Sequence, residues 1–253
     1  MNKKLFFALI ASPTLALANT YTTNFPLLEN PISEGGNWIN GGDTGLDWSN
    51  VQTVTGYAFG TMPGTSSGNA QYADSTALLA GSWGSDQSAQ GVVYVNQAAS
   101  SAYEEVEIRL RSSLSAHSCT GYEIDCSVSS LQQYVAIDRW DGALGSFTLL
   151  AVNYNVPQII TGDLITATIS GGTITAYLNG VQVVQATDST FSTGNPGIGF
   201  YLQGASGLNP NYGFSSFIAS DNGGGPISTP SPSPSPTATP TPTPSPTWHH
   251  HHY

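Results

Sequence analysis

A small set of side chains has the types and spacing that chemistry requires. Glu105, Glu107 and Arg109 alternate with Val106, Ile108 and Leu110, and the pattern runs on to Arg111. Glu123 and Asp125 flank Ile124, while Tyr134, Asp138 and Trp140 are interleaved with Val135 and Ile137. In an extended strand, successive side chains point to opposite faces at about 3.3 Å per residue. Each apolar set therefore turns one way, toward a core, and each polar set turns the other. If the three runs are neighbours, Glu107, Arg109, Glu123, Asp125, Tyr134, Asp138 and Trp140 share one solvent-facing surface. Carboxylates and guanidinium groups hydrogen-bond hydroxyls, and aromatic rings cover the C–H faces of sugars, so the ligand that such a surface fits is a glycan. The competing reading is a cross-strand ladder in which Arg109 and Arg111 neutralise Glu123 and Asp125, worth a fraction of a kcal/mol per pair. An outward tryptophan has an exposure cost that a ladder does not explain, which favours the ligand face.

Other candidates are weaker. Gly64-Thr65-Ser66-Ser67-Gly68 matches G-x-S-x-G, but a nucleophile elbow needs a strand before it and a helix after it, and His117 is the one histidine of the folded region. Cys119 and Cys126 lie seven apart, and with His117 they are too few ligands for a structural zinc site. A disulfide between them, worth about 2–3 kcal/mol, is expected in an exported chain. No cofactor is required by any motif. Calcium is possible at Asp43 and Asp47, or at Asp221 with Asn222. Neither pair has the dense Asp-x-Asp spacing of a strong site, and both suit turn-stabilising roles equally well.

The elements that must position these residues read as strands and turns. Alternating or β-rich runs cover 91–95, 105–111, 122–128, 134–140, 146–152, 164–170, 173–178, 181–186, 197–202 and 213–219. Asn179-Gly180 between two such runs is a two-residue hairpin signal, since both central residues need positive φ. Asp141-Gly142, Gly171-Gly172 and Gly194-Asn195-Pro196-Gly197 mark further reversals. Strands at this spacing predict an all-β sandwich or barrel with essentially no helix.

Both ends are legible. Lys3 and Lys4 precede an apolar stretch over 5–17 and the small-x-small sequence Ala16-Leu17-Ala18, which reads as a signal peptide spanning 1–18. Export, with no membrane insertion, follows from a run too short to span a bilayer. Removing it leaves three arginines and no lysine against all sixteen acidic residues, a formal −13 against −11 for the whole chain. Such a surface repels phosphate backbones, so nucleic acid is excluded as a partner. Hydrophobic residues make up 39% of the chain and aromatic residues 10%, enough for a real core. From Gly223 a glycine run passes into alternating proline with Ser and Thr, an extended, disordered linker over 223–247. The His-rich tail 248–253 reads as a possible tag.

One resemblance is specific. Tyr177-Leu178-Asn179-Gly180-Val181, then Asp188, then Gly194-Asn195-Pro196-Gly197-Ile198-Gly199 resemble the C-terminal half of concanavalin A-like, LamG-like jelly rolls. Asn24-Phe25, Asn30-Pro31-Ile32, Gly36-Asn37-Trp38 and Asp86-Gln87 resemble the N-terminal half more loosely. The resemblance implies a two-sheet antiparallel jelly-roll sandwich over 19–222, with a glycan or polysaccharide partner on its concave face. It also brings an enzymatic comparison. Laminarinase-like glycosidases of that superfamily carry Glu-x-Asp-x-(x)-Glu on a strand, and here Glu123-Ile124-Asp125 is followed by Ser127 and Val128 where the third carboxylate belongs. The expected function is therefore a secreted carbohydrate-binding or adhesion module for a neutral glycan, more plainly a binder than an enzyme. The alternatives are a glycoside hydrolase or polysaccharide lyase using the same face, and a self-associating extracellular subunit.

Overall fold

The computed structural model describes residues 18–221. The expected signal peptide, save Ala18, the expected linker and the His-rich tail lie outside the described residues. Within them, fifteen strands build two antiparallel sheets. In chain order these are β1 (Thr20–Thr23), β2 (Trp38–Asn40), β3 (Gln52–Val54), β4 (Tyr57–Phe59), β5 (Ser75–Leu79), β6 (Gln87–Val95), β7 (Tyr103–Ser115) and β8 (Ser118–Ser127). They continue with β9 (Val135–Gly142), β10 (Phe147–Asn153), β11 (Leu164–Ser170), β12 (Thr173–Leu178), β13 (Val181–Thr187), β14 (Asn195–Gln203) and β15 (Tyr212–Ser220). One sheet runs β13-β12-β11-β6-β15-β4-β3 with β1 also on β15, and the other runs β10-β9-β8-β7-β14-β5-β2. The protein is the expected all-β sandwich.

Period-two alternation set the facing correctly. Val106, Ile108, Leu110, Ile124, Val135 and Ile137 point between the sheets, against Ala89, Val93, Ile165, Ala167, Ile174, Phe214 and Phe217. Each buried aliphatic or aromatic side chain of this kind contributes about 1.5–3 kcal/mol. The Asn179-Gly180 hairpin has φ of 51° and 79° at its two central residues, the positive pair that a type I′ turn requires. All ten expected strands form. Sequence reading missed β1 to β5 for a physical reason: β2, β3 and β4 have three residues each, too few to show a period, and β5 is buried at all five positions and so does not alternate.

Three local features shape the outer face of the seven-stranded sheet. A four-residue helix, α1 (Gly41–Thr44), interrupts the β pattern; the Asn40 side chain accepts from Asp43 N at 3.1 Å and donates to Asp43 Oδ2 at 2.6 Å. A Cβ on Gly41 would meet Leu46 Cδ2 at 2.9 Å, and this close turn lays Leu46 and Trp48 against Trp140 and Cys119 as a second, smaller apolar cluster. At Arg111 the register of β7 on β8 shifts, with φ at 45°. The extra residue turns Arg111 away from the polar row: its guanidinium donates to Ser85 O at 2.5 Å and Phe191 O at 3.2 Å, and it sits 3.5 Å from Asp86. Finally, β14 presents Gly197 and Gly199 beside Arg109 and Glu107.

The expected Cys119–Cys126 disulfide does not form; both cysteines are free and buried. They sit at opposite ends of one strand, β8, whose rise separates their Cα atoms by roughly 20 Å, whereas a disulfide needs about 4.4–6.8 Å. Their odd spacing also puts them on opposite faces, Cys126 in the main core and Cys119 in the outer cluster.

The loop candidates for calcium are otherwise engaged. Asp43 is bound by Asn40, Asp47 accepts from exposed His117 Nδ1 at 2.7 Å, and Asp221 accepts from Asn19 N at 2.5 Å and Gly84 N at 2.8 Å. Asn222 lies outside the described residues.

Candidate functional site

The register explains how the polar residues come together. In the antiparallel ladders, Glu107 stands opposite Asp125 and Arg109 opposite Glu123, and Glu123 stands in turn opposite Asp138. Directly opposite pairs hold their Cβ atoms about 4.5–5.5 Å apart, so the sheet is crossed by one row of Arg109, Glu123 and Asp138 and a second of Glu107 and Asp125. Each row needs room on β14. A Cβ on Gly199 would lie 2.0 Å from Glu107 Oε2 and 3.1 Å from Arg109 Nε, so only glycine lets these two side chains lie flat across the neighbouring strand.

The expected residues thus do share one face, but that face is not solvent-facing. Glu107 and Arg109 have no exposure, and Glu123, Asp125 and Asp138 are also buried. Trp140, expected outward and exposed, is outward but only 3% exposed. Trp48 covers it with ring centroids 4.3 Å apart, and Phe147 of β10 packs at 5.2 Å. Tyr134 remains half-buried, its hydroxyl donating to Glu105 Oε1. The shared face thus carries the ion pairs of the ladder reading, buried under a covering layer.

Arg109 is the hub. Its Nη2 contacts Glu107 Oε2 at 2.9 Å, Asp74 Oδ2 at 3.4 Å and Glu123 Oε2, while its Cζ lies 5.6 Å from the Trp48 ring centroid. Trp140 Nε1 donates to the same Glu123 oxygen at 2.8 Å. Against the burial that would lower it, Glu123 and Glu107 hold the guanidinium further into its charged form. One cation cannot balance the six carboxyls gathered here. Burial first, then the Glu123 charge, pushes Glu107 and Asp125 well above the usual carboxylate range, and Asp74 behaves in the same way. Burial also pushes Glu105 up to about 8, although the Tyr134 hydroxyl pulls it down, and Asp138 up to about 6. The floor is thus a set of carboxyls gathered around Arg109, five of which burial shifts toward the protonated form.

Above the floor a cleft of about 300 Å³ opens. Asp74, Glu105, Glu123, Asp125 and Asp138 reach it from below. Its walls are aromatic: Tyr72, Tyr103, Tyr134, Trp140, Phe147, Tyr154 and Tyr201 all line it. Sequence reasoning missed Asp74 and most of these rings. Asp74 precedes the non-alternating β5, and Tyr72 lies on the short 3-10 turn Asn69–Tyr72. The alternation of Tyr201 with Phe200 and Leu202 along β14 was the one available signal for its facing. His117 and the Gly64–Gly68 motif do not line this cleft.

No known family model matches the sequence, and no curated protein does. Solved structures do match. The metal-free carbohydrate recognition domain of Emp46p aligns at TM-score 0.51 and 11% identity, over 79% of this chain and 96% of that one. The carbohydrate-binding module CBM66 from Bacillus subtilis aligns at 0.48 and 17% identity, over 66% and 92%. The β-porphyranase BpGH16B of the human gut bacterium Bacteroides plebeius aligns at 0.46 and 9% identity, over 80% and 92%. At such identities the likeness concerns the fold alone: two antiparallel sheets packed face to face as a jelly-roll sandwich.

Proposed function

We propose that this domain binds a neutral glycan in the cleft on the outer face of its seven-stranded sheet. The observation that carries the reading is the pairing of a carboxyl floor with aromatic walls in one cleft. Sugar hydroxyls donate to the carboxyl oxygens, and sugar C–H faces lie on Tyr72, Phe147 and Tyr154. A neutral ligand fits better than an acidic one. Arg109 is buried among carboxylates, Arg111 is bound to Ser85 and Phe191, and Arg139 is paired with Asp141 and Asp188 at 2.6 and 2.7 Å. Among the described residues no arginine is thus left unengaged to meet a uronate or sulfate. Export through residues 1–18 and tethering through the linker fit the same reading.

Glycoside hydrolysis is the second reading, and one feature favours it. Glu105 holds its proton to about pH 8, as a general acid must, while Glu123 is ion-paired to Arg109 and lines the same cleft. Screening neutral oligosaccharides for binding, with reducing-end release measured on every hit, tests both. Binding lost in Tyr154→Ala, with unchanged stability, supports the module; release of new reducing ends supports the hydrolase. Binding that is unaffected by Tyr154→Ala and Tyr72→Ala together refutes the cleft as the site.

A further inference from the structure

Far from the cleft, the two ends of the sandwich meet. Asp221, just past the end of β15, accepts from Asn19 N at 2.5 Å through Oδ1. Its Oδ2 accepts from Asn19 Nδ2 at 2.7 Å and from Gly84 N at 2.8 Å. Asn19 Nδ2 also donates to Ser82 O at 2.8 Å, and Asp221 N donates back to Asn19 O at 3.2 Å. From this corner β1 pairs with β15, beginning with Thr20 opposite Ser220. Gly84 leaves the carboxylate its room, since a Cβ there would meet Asp221 Cβ at 3.3 Å and Oδ2 at 3.4 Å. Arg109, Arg111 and Arg139 are paired elsewhere, so none of them answers the Asp221 charge. We propose that cleavage between Ala18 and Asn19 supplies the missing cation: the freed α-ammonium of Asn19 pairs with Asp221, and this clasp fastens β1 to the end of β15 in the processed chain.

The clasp rests on the signal-peptide reading of residues 1–18 and is independent of what the cleft binds. Hydrolysis adds one water across the Ala18–Asn19 peptide bond: Ala18 leaves with a carboxylate, and the Asn19 nitrogen becomes an amine that takes up a proton below about pH 8. Before cleavage that nitrogen is a neutral amide with one hydrogen, which can donate to Asp221 but cannot pair charge with it. Afterwards the same atom, already at hydrogen-bond distance, makes a charge-assisted bond, which is about twice as strong as a neutral one. Ala18, Asn19 and Thr20 are exposed, so the bond lies where a peptidase reaches it. The other titratable groups of this corner are engaged: the Tyr21 hydroxyl donates to Glu34, and Asp86 accepts from Ser170 Oγ and Gly171 N. Both lysines, Lys3 and Lys4, leave with residues 1–18. The α-amine is then the only aliphatic amine of the processed chain, which gives it a signal of its own.

The exported protein is read first by intact mass and N-terminal sequencing. Asn19 is the expected first residue; any other start overturns the proposal together with the peptide boundary and leaves the glycan reading untouched. Trace acetylation of the α-amine, followed by mass spectrometry as a rate against pH, then gives its titration midpoint. The midpoint should lie above the roughly 7.7–8.0 of an ordinary α-amine and drop by about half a pH unit or more in Asp221→Asn. Asp47→Asn, the same charge change at the exposed His117 pair, should leave it where it was. Asparagine at 221 keeps an acceptor for Gly84 N, so this variant removes charge and little else. Equal midpoints in the parent and in Asp221→Asn overturn the clasp. In urea unfolding the parent should outlast Asp221→Asn at about pH 6.5, and the advantage should vanish by about pH 10, because a raised amine stabilises only while protonated. An advantage that persists at pH 10 assigns Asp221 a purely structural role and refutes the charge pair. If Asp221→Asn does not fold, full acetylation of the unaltered protein removes the charge from the other side. A lower urea midpoint at pH 6.5 then supports the clasp, and an unchanged one refutes it.

Discussion

Trp140 separates a binding surface from a structural one by a simple measurement. On an open face its removal would cost little stability. In this structure it is 3% exposed, stacks on Trp48 and Phe147, and donates from Nε1 to Glu123. Trp140→Ala should therefore lose about 3–5 kcal/mol for the cavity and leave Glu123 short of a donor. Losing a hydrogen bond to a charged group costs about 1.5–3 kcal/mol. Because the two losses share one side chain, a total of about 4–6 kcal/mol is expected, a large part of the 5–15 kcal/mol typical of a whole domain. Trp140→Phe keeps most of the packing and should lose about 2–3 kcal/mol, chiefly the hydrogen bond. Urea unfolding followed by far-UV circular dichroism measures both through the shift in midpoint at constant slope. A double-mutant cycle with Trp48→Ala should show a coupling of about 0.5–1.5 kcal/mol from the ring pair. A loss below about 1 kcal/mol in Trp140→Ala would place it with ordinary surface changes and refute the covering role assigned to Trp48.

Three further outcomes follow from the same geometry. Thiol labelling should count two free cysteines in the denatured, unreduced protein and almost none in the native state, because burial raises Cys119 to about 12 and raises Cys126 as well; a protein without titratable thiols would contradict the strand geometry. Gly199→Ala should destabilise by about 2–4 kcal/mol or repack the floor, since its Cβ would lie 2.0 Å from Glu107 Oε2; a neutral result in urea unfolding would show that the floor is not packed as described. Stability should fall as pH rises from about 4.5 to 8: the folded state keeps protons on Glu105 to about 8 and on Asp138 to about 6 that the unfolded chain has already released. Below that window Asp188, held near 2 by Thr190, Tyr122 and Arg139 against its burial, is stabilising only until it protonates, so a mildly acidic optimum is expected, and a midpoint that rises from pH 5 to pH 8 would refute it.

The alternation of Val106, Ile108, Ile124, Val135 and Ile137 with charged neighbours determined, by itself, the strands, their facing and the set of polar residues on the outer side. Those properties depend only on the two-residue period of an extended chain. Asn179-Gly180 determined a hairpin because both residues tolerate positive φ. The tertiary structure decided the rest. Whether an outward residue meets water depends on what packs over it, and Trp48 reaches Trp140 from a loop almost a hundred residues earlier through a turn closed by Gly41 and Leu46. A single extra residue at Arg111 removed it from its row, a bulge that no period reveals in advance. Asp74 and Tyr72 joined the cleft because β5 pairs with β14, which brings residues 75–78 beside 197–200. Cys119 and Cys126, seven positions apart, looked close along the chain, but one continuous strand holds them far apart and on opposite faces.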